Sequence, residues 1–462
     1  MQEQGCSTLA VDDEDVVLDR LAGLLKVIPQ ELIREVLRET KRIAKRKCML
    51  TPEIMMLVIL AIGVMTDRPI RQVFKASRRL HKYETTPARS SLCEARKRLG
   101  AEPLRVLHRR VVHPLGTLET PSAYYRQWRL VGIDGTLMDV PDSEANATSF
   151  GRPTGGRGDG AFPQVRKVSV VELGTHVELA LEIGGYHEGE QTLSRRLWEF
   201  LPPDSLLLQD RGFFAFEDWK TLRTKNIQLL ARCKMQFILR PIEHLSDGSY
   251  LATIYPSSYW RDKDRNGIVV RVIEYQLDDP QRTGHGEVHR LITSLLDAEL
   301  YPAVELIELY HERWEEEMVF DQQKTHQDPR RAEKPAQLRS ETPEGIKQEL
   351  YAISLAHFVT RKMMQDAANS EQMDVDRLSF KGCFQILQTR LPECDPTSLK
   401  TLTEWYEAVV WEMGQEKIPP RQNRVNPRVI KRKMSKWPKK RPHHRKPPPL
   451  TKTFADSIVM VN

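Results

Sequence analysis

At Trp128 the hydrophobic spacing of the chain changes from helical to alternating, and the hundred residues beyond it dictate the class of fold. Residues 130–133 and 137–140 read as short strands, and 165–173 and 176–183 as longer ones about a Gly174-Thr175 turn. Residues 190–201 then read as a helix, 205–209 as a strand, 216–224 as a helix and 227–231 as a strand. Antiparallel strands followed by alternating helices and strands require a mixed sheet with helices packed on it. The expected class is therefore mixed α/β.

The flanks differ. Residues 16–47 read as two helices split near Pro29, and Thr51-Pro52-Glu53 supplies a cap oxygen, a first-turn proline and an early acid that open a buried helix through Met65. Residues 68–99 carry repeated Lys and Arg, break at Thr86-Pro87 and close on Gly100, which fits either a DNA-binding module or a helical bundle with a charged outer face. Alternation over residues 239–295 predicts a β-rich insertion. A long helix over 303–324, a second Thr-Pro-Glu start at Thr342 opening a helix to about Ala367, and weaker helices over 377–390 and 398–413 complete the chain before its tail. The expected organisation is a helical N-terminal domain (1–120), a core in two parts (121–238 and 296–367) around the insertion (239–295), a helical C-terminal region (368–420) and a tail (421–462).

Charge and cysteines bound the setting. Residues 421–446 hold twelve Lys or Arg and no acid against a whole-chain net charge of +7, so the remainder is net acidic. Such a block attracts polyanions without reading sequence, or else serves as a solvated solubility tail. Six scattered cysteines without a C-x-x-C pair read as reduced thiols. The start is acidic where a signal peptide would be apolar, and the run 54–65 is far below the ~18 residues of a bilayer span, so a soluble cytoplasmic protein without a membrane partner is expected.

Three sets of residues carry possible chemistry. Asp134 and Asp210 each end an apolar strand, where an acid projects from the sheet toward a metal or substrate; a cap or turn aspartate is the bland alternative for each. On a helix, Tyr310, Arg313, Glu317 and Lys324 fall within about 60° of one another, whereas Glu315 and Glu316 point elsewhere and Asp321 lies at the edge as a fallback ligand. A salt-bridged surface would also give such a stripe. Three converging acids would suit hard divalent ions such as Mg²⁺, which retain exchangeable waters for phosphate oxygens. Two ions about 4 Å apart can activate a water or hydroxyl and stabilise the leaving oxygen at phosphorus. Arg313 and Lys324 are then placed for phosphates.

Asp134-Gly-Thr, Asp210-Arg-Gly-Phe and the Tyr310/Arg313/Glu317/Lys324 spacing resemble the three motifs of DDE transposases of the insertion-element-four family, over residues 20 to 440. The resemblance implies a ribonuclease H-like core with a β-rich insertion and two Mg²⁺ ions, Mn²⁺ being able to substitute, held by Asp134, Asp210 and Glu317. It implies double-stranded DNA as partner (element ends and target), a homodimer in a synaptic complex, nicking and strand transfer by a cut-and-paste route, and a bacterial, nucleoid-associated setting. Tyr310, Arg313, Lys324 and Arg211 would serve phosphate binding. Trp260 in the insertion would stack on a flipped base, as an aromatic does in similar transposases, or else is an ordinary packed aromatic. One departure is Glu316, where the family has an apolar residue. Gly151 to Gly160, with Arg152 and Arg157, reads as a loop near DNA or a plain linker, and His443 and His444 have no partner at zinc-ligand spacing. Two rivals stand beside this reading. A catalytically silent, transposase-derived DNA-binding protein predicts end binding without cutting; a paired-carboxylate glycosidase leaves the basic tail and the Arg/Lys stripe unexplained.

Overall fold

The apolar run after Thr51 forms helix Pro52–Val64 in a computed structural model that describes residues 19–44, 48–79, 85–155, 158–282, 284–312, 315–327, 338–394, 398–419, 450 and 452–461, with backbone alone at 155, 312 and 315–317. Thr51 Oγ1 accepts from the Ile54 amide at 3.2 Å, and Pro52 sits where its missing N–H costs no helical bond. Every residue from Ile54 to Val64 is buried, as a helix apolar on all sides must be. Its neighbour is helix Pro343–Ser370, opened in the same way by Thr342, whose hydroxyl accepts from the Gly345 amide at 3.3 Å. At Gly63 a Cβ would lie 2.1 Å from the Ala352 carbonyl oxygen, so this backbone approach requires glycine.

These helices belong to the first of two units, formed by the described parts of Met1–Pro121, Gly135–Phe200 and Glu317–Ile418. Helices Gln30–Glu39, Ile70–Ala76, Arg89–Leu99 and Glu102–Val111 supply its N-terminal portion. Arg96, among the repeated bases of that stretch, donates to Gln348 Oε1 at 2.6 Å and to the Gly345 carbonyl at 2.7 Å, so this cation serves the fold.

The strands in chain order are β1 (Tyr124–Tyr125), β2 (Trp128–Asp139), β3 (Thr154–Gly155), β4 (Gly158–Asp159), β5 (Gln164–Glu172), β6 (Val177–Gly185), β7 (Ser205–Gln209), β8 (Gln228–Arg232), β9 (Pro241–His244), β10 (Tyr250–Ile254), β11 (Ile268–Leu277), β12 (His289–Thr293) and β13 (Ile458–Met460). In the first unit β5 and β6 form an antiparallel hairpin running from Val165↔Gly185 to Glu172↔Val177. A polar network lies inside this unit. His108 is buried, with Nε2 2.8 Å from Ser354 Oγ, and burial pushes its pKa down to about 4. The unfolded chain therefore binds the extra proton first, and stability is complete above about pH 6.5 and falls as pH drops toward 4, by about 3 kcal/mol over that window. Urea unfolding across pH 7.5 to 4.5 should show this slope, and His108→Gln should flatten it; an equal slope in both proteins would reject His108 as its source.

The second unit comprises the described parts of Ser122–Asp134, Leu201–Glu316 and Pro419–Asn462. Here β2 runs parallel to β7, and β7 parallel to β8. From β8 the order continues antiparallel through β12, β11, β10 and β9, with β13 pairing the far end of β11. The β-rich segment thus extends the parallel strands in one large mixed sheet. Its turn at Asp247-Gly248 uses a glycine at φ 83°, a conformation that a side chain disfavours. Arg271, wholly buried, pairs with Asp247 and donates to the Tyr301 carbonyl at 2.6 Å, while Asp247 Oδ2 accepts from the Ala303 amide at 2.8 Å. Burial pushes the Asp247 carboxyl up, but bonds from Ser249 and the Ala303 amide and the Arg271 charge outweigh it and hold it below its usual range. That knot fixes the start of helix Ala303–Glu312.

Three local expectations change. The two short strands flanking Asp134 are one strand, because Gly135 keeps an extended backbone and makes no turn. Helix Glu190–Arg195 stops earlier than expected. Within the long helix over 303–324, Ala303–Glu312 and Glu315–Asp321 are helical on either side of residues 313–314, which lie outside the described residues, and its last turn is π-helical, Gln322–His326. Among the described residues no helix is long and apolar enough to cross a membrane.

Candidate active site

The β2–β7 pairing ends on Ile133↔Gln209, so Asp134 and Asp210 follow side by side where it stops, Asp210 just past the carboxyl end of β7 and Asp134 within β2, which continues to Asp139. Register partners point to one face, and the carboxyl ends of parallel strands are where open α/β sheets bind ligands. Both aspartates are partly exposed. β7 stops at Gln209 because Asp210 turns the chain: its Oδ1 accepts from the Arg211 amide at 2.7 Å and its carbonyl from the Phe213 amide at 3.0 Å. Phe213 is buried below the turn, and Arg211 is exposed beside the acid.

Helix Ala303–Glu312 meets the same strand end. Tyr310 is buried and its hydroxyl donates to the Gln209 carbonyl at 3.3 Å, one residue before Asp210. In the first unit Lys324 Nζ donates to Thr136 Oγ1 and to the Leu137 carbonyl at 3.2 Å, just beyond Asp134 on β2. Gly135, next to Asp134, has no Cβ and so leaves a space beside the strand backbone. The structure gives it to Glu190, whose Oε1 lies 2.7 Å from where a Cβ would stand, and Arg166 Nη1 holds that carboxylate at 2.6 Å. Neither residue was singled out from sequence, although a glycine beside a candidate carboxylate was the available signal.

The backbone of Glu317 lies in helix Glu315–Asp321, while its side chain and all of Arg313 fall outside the described residues. Asp321, the fallback ligand, faces His326 at 3.3 Å. Trp260 sits half-buried in the short helix Ser258–Asp262, edge-on to exposed Tyr259 with ring centroids 5.3 Å apart. The basic segment 421–446, with His443 and His444, also lies outside the described residues. Among the described side chains no three His, Cys, Asp or Glu gather in metal-binding geometry. The donors at the strand ends are carboxylate oxygens, the chemistry that hard divalent ions select over soft ones.

Comparison with known proteins bears on these motifs. Residues 18–109 match the family described as insertion element 4 transposase N-terminal, and residues 129–358 match the family described as transposase DDE domain. The chain is 27% identical over 433 residues to the transposase InsG for insertion sequence element IS4 of Escherichia coli (strain K12), covering 92% of this chain and 95% of that protein. It is 28% identical over 139 residues to a putative transposase InsZ of the same organism, covering 30% of this chain and 46% of that one. Among solved structures it resembles the piggyBac transposase in a cryo-EM synaptic complex with hairpin DNA, at a TM-score of 0.46 and 12% identity over 85% of each chain.

Proposed function

Since the chain belongs to the insertion-element-four family of DDE transposases, enzymes that cleave DNA in transposition, we propose that it binds the terminal inverted repeats of its own element and moves it by a cut-and-paste route. The observation that supports this is the parallel β2–β7 register, whose last pair, Ile133↔Gln209, directly precedes Asp134 and Asp210, with Glu317 at the family's third position. Asp134, Asp210 and Glu317 would hold two Mg²⁺ ions, or Mn²⁺, which supply Lewis-acid activation and charge neutralisation at the scissile phosphate.

The chain's own groups do the rest. Arg313 and Lys324 grip phosphates beside the scissile bond, the first through its planar fork and the second as a point charge. Arg211, exposed next to Asp210, adds a third cation, and Tyr310 braces the strand end through the Gln209 carbonyl. Trp260 offers a stacking face for an unpaired base. In this reading residues 121–238 and 296–367 form a ribonuclease H-like core around the 239–295 insertion. Residues 1–120 recognise the element ends, residues 368–420 form a helical C-terminal region, and two copies join both ends in one synaptic complex inside the bacterial cell, with the tail of 421–462 adding nonspecific grip on DNA. Purified protein with Mg²⁺ should nick DNA carrying the element's ends and join it to a target, and should leave scrambled ends uncut. Equal cutting of scrambled ends would reject end recognition.

A further inference from the structure

The segment between Glu317 and Lys324 changes helical form. Gln322–His326 make a single π turn, a form that survives mostly as an isolated feature where surrounding groups hold it. Both glutamines at its start are buried. Gln323 Oε1 accepts from Lys167 Nζ, and Gln323 Nε2 donates to Glu178 Oε2 at 2.9 Å. Lys167 Nζ lies 2.7 Å from Glu178 Oε1, and Ser169 Oγ donates to the same oxygen at 2.5 Å, which closes a ring of hydrogen bonds on β5 and β6. Lys167 is 2% exposed and Glu178 1%. A buried ion pair is a poor source of net stability, and its best-attested use is to select one register of packing. A glutamine suits the gap because its amide accepts from an ammonium while donating to a carboxylate. Gln322 Oε1 lies 2.8 Å from His357 Nε2 on helix Pro343–Ser370, a second hold on the turn. One residue later Lys324 reaches Thr136 and Leu137.

We propose that the Lys167–Glu178–Gln323 ring is a positioning device for the transposition reaction, locking the π register so that Lys324 lands on the strand just past Asp134 while Glu317 stays in phase with the helix upstream. The inference rests on the roles given above to Glu317 and Lys324. Reversion of the turn to α-helix would rotate everything after it by about 100° relative to Glu317.

The test uses the full-length protein, end DNA and Mg²⁺, and measures end binding and cleavage separately. Gln323→Ala should bind ends as the parent does yet cleave about tenfold or more slowly, since misplacement of about 1 Å is worth as much as a hundredfold. Gln323→Glu adds a readout that simple packing would not move. When protonated its carboxyl can make both hydrogen bonds; when ionised it sets a second anion beside Glu178. The other charged or titratable groups around the ring are Lys167 on its own hairpin, His108 on helix Glu102–Val111, and His357 and Arg361 on helix Pro343–Ser370. These are common to parent and variant. Cleavage by Gln323→Glu relative to the parent should therefore recover as pH is lowered from about 9 to about 6. A constant ratio across that range, or parental cleavage by Gln323→Ala, would overturn the proposal. Glu317→Gln is run alongside: if it cuts normally, the reading of the site itself fails; if it is inactive while both Gln323 variants match the parent, the positioning inference alone fails.

Discussion

Asp134→Ala, Asp210→Ala and Glu317→Ala are each expected to lower strand cleavage by about 10³-fold or more, about 4 kcal/mol of barrier, while leaving binding to element ends intact. The size reflects the task of the acids. A carboxylate that holds an ion at the scissile phosphate acts on charge developing in the transition state, so its removal appears in the rate and hardly in DNA affinity. The two aspartates should behave alike, because both directly follow Ile133↔Gln209, the last paired position of β2 and β7. Gel-shift and cleavage assays on the same preparations separate the two effects. Full cleavage by any one variant would remove that residue from the proposed site. Loss of binding alongside loss of cleavage would point to damaged folding, which the urea midpoint would reveal.

A second large effect is expected from the basic segment. Exchange of the twelve Lys and Arg between Arg421 and Lys446 for Gln, keeping the chain beyond them, should weaken nonspecific DNA binding at about 0.1 M salt by about two orders of magnitude. The plot of log affinity against log salt should also become shallower, by about 0.9 for each phosphate that is no longer neutralised. Cleavage of saturated end complexes should change little, since no member of the proposed site lies in that stretch. An unchanged salt slope would show that these cations merely solvate the surface.

Features decided locally could be read from sequence. Thr51 and Thr342 announce their helices because a cap oxygen and a first-turn proline act within four residues. Strand Ser205–Gln209 and helix Phe216–Thr224 were legible since each is a short apolar pattern bounded by its own stop signals. The motif acids were visible by their spacing; the end of β7 at Gln209 was read correctly, whereas the strand carrying Asp134 runs on past Ile133 to Asp139.

The misses are nonlocal. The π turn depends on Lys167 and Glu178, about 150 residues earlier in the chain, and no helical wheel contains that information. Helical phase therefore placed Lys324 on an unbroken stripe, whereas its observed partners are Thr136 and Leu137. Asp134 read as the end of a strand because the apolar run stops at Ile133; β2 instead continues to Asp139, with Glu190 packed against Gly135. Among the repeated bases that fit either a DNA-binding module or the charged face of a bundle, Arg96 is a clamp on helix Pro343–Ser370, a long-range contact that local spacing does not encode.

Strand β13 has a consequence for how the cationic stretch meets its target. On one side of that stretch the Ile418 amide donates to the Arg377 carbonyl at 2.7 Å; on the other, Ile458–Met460 is laced to Tyr275–Leu277. A chain segment covalently joined to paired backbone on both sides differs from a tail with one free end, because loop entropy grows only slowly with the length between its anchors. In the proposed reading such tethering would raise the effective molarity of these cations at bound DNA, so a duplex released at one point would be recaptured before it diffuses off. Severing the backbone within residues 420–449, with every charge retained, should therefore shorten the dwell time on DNA.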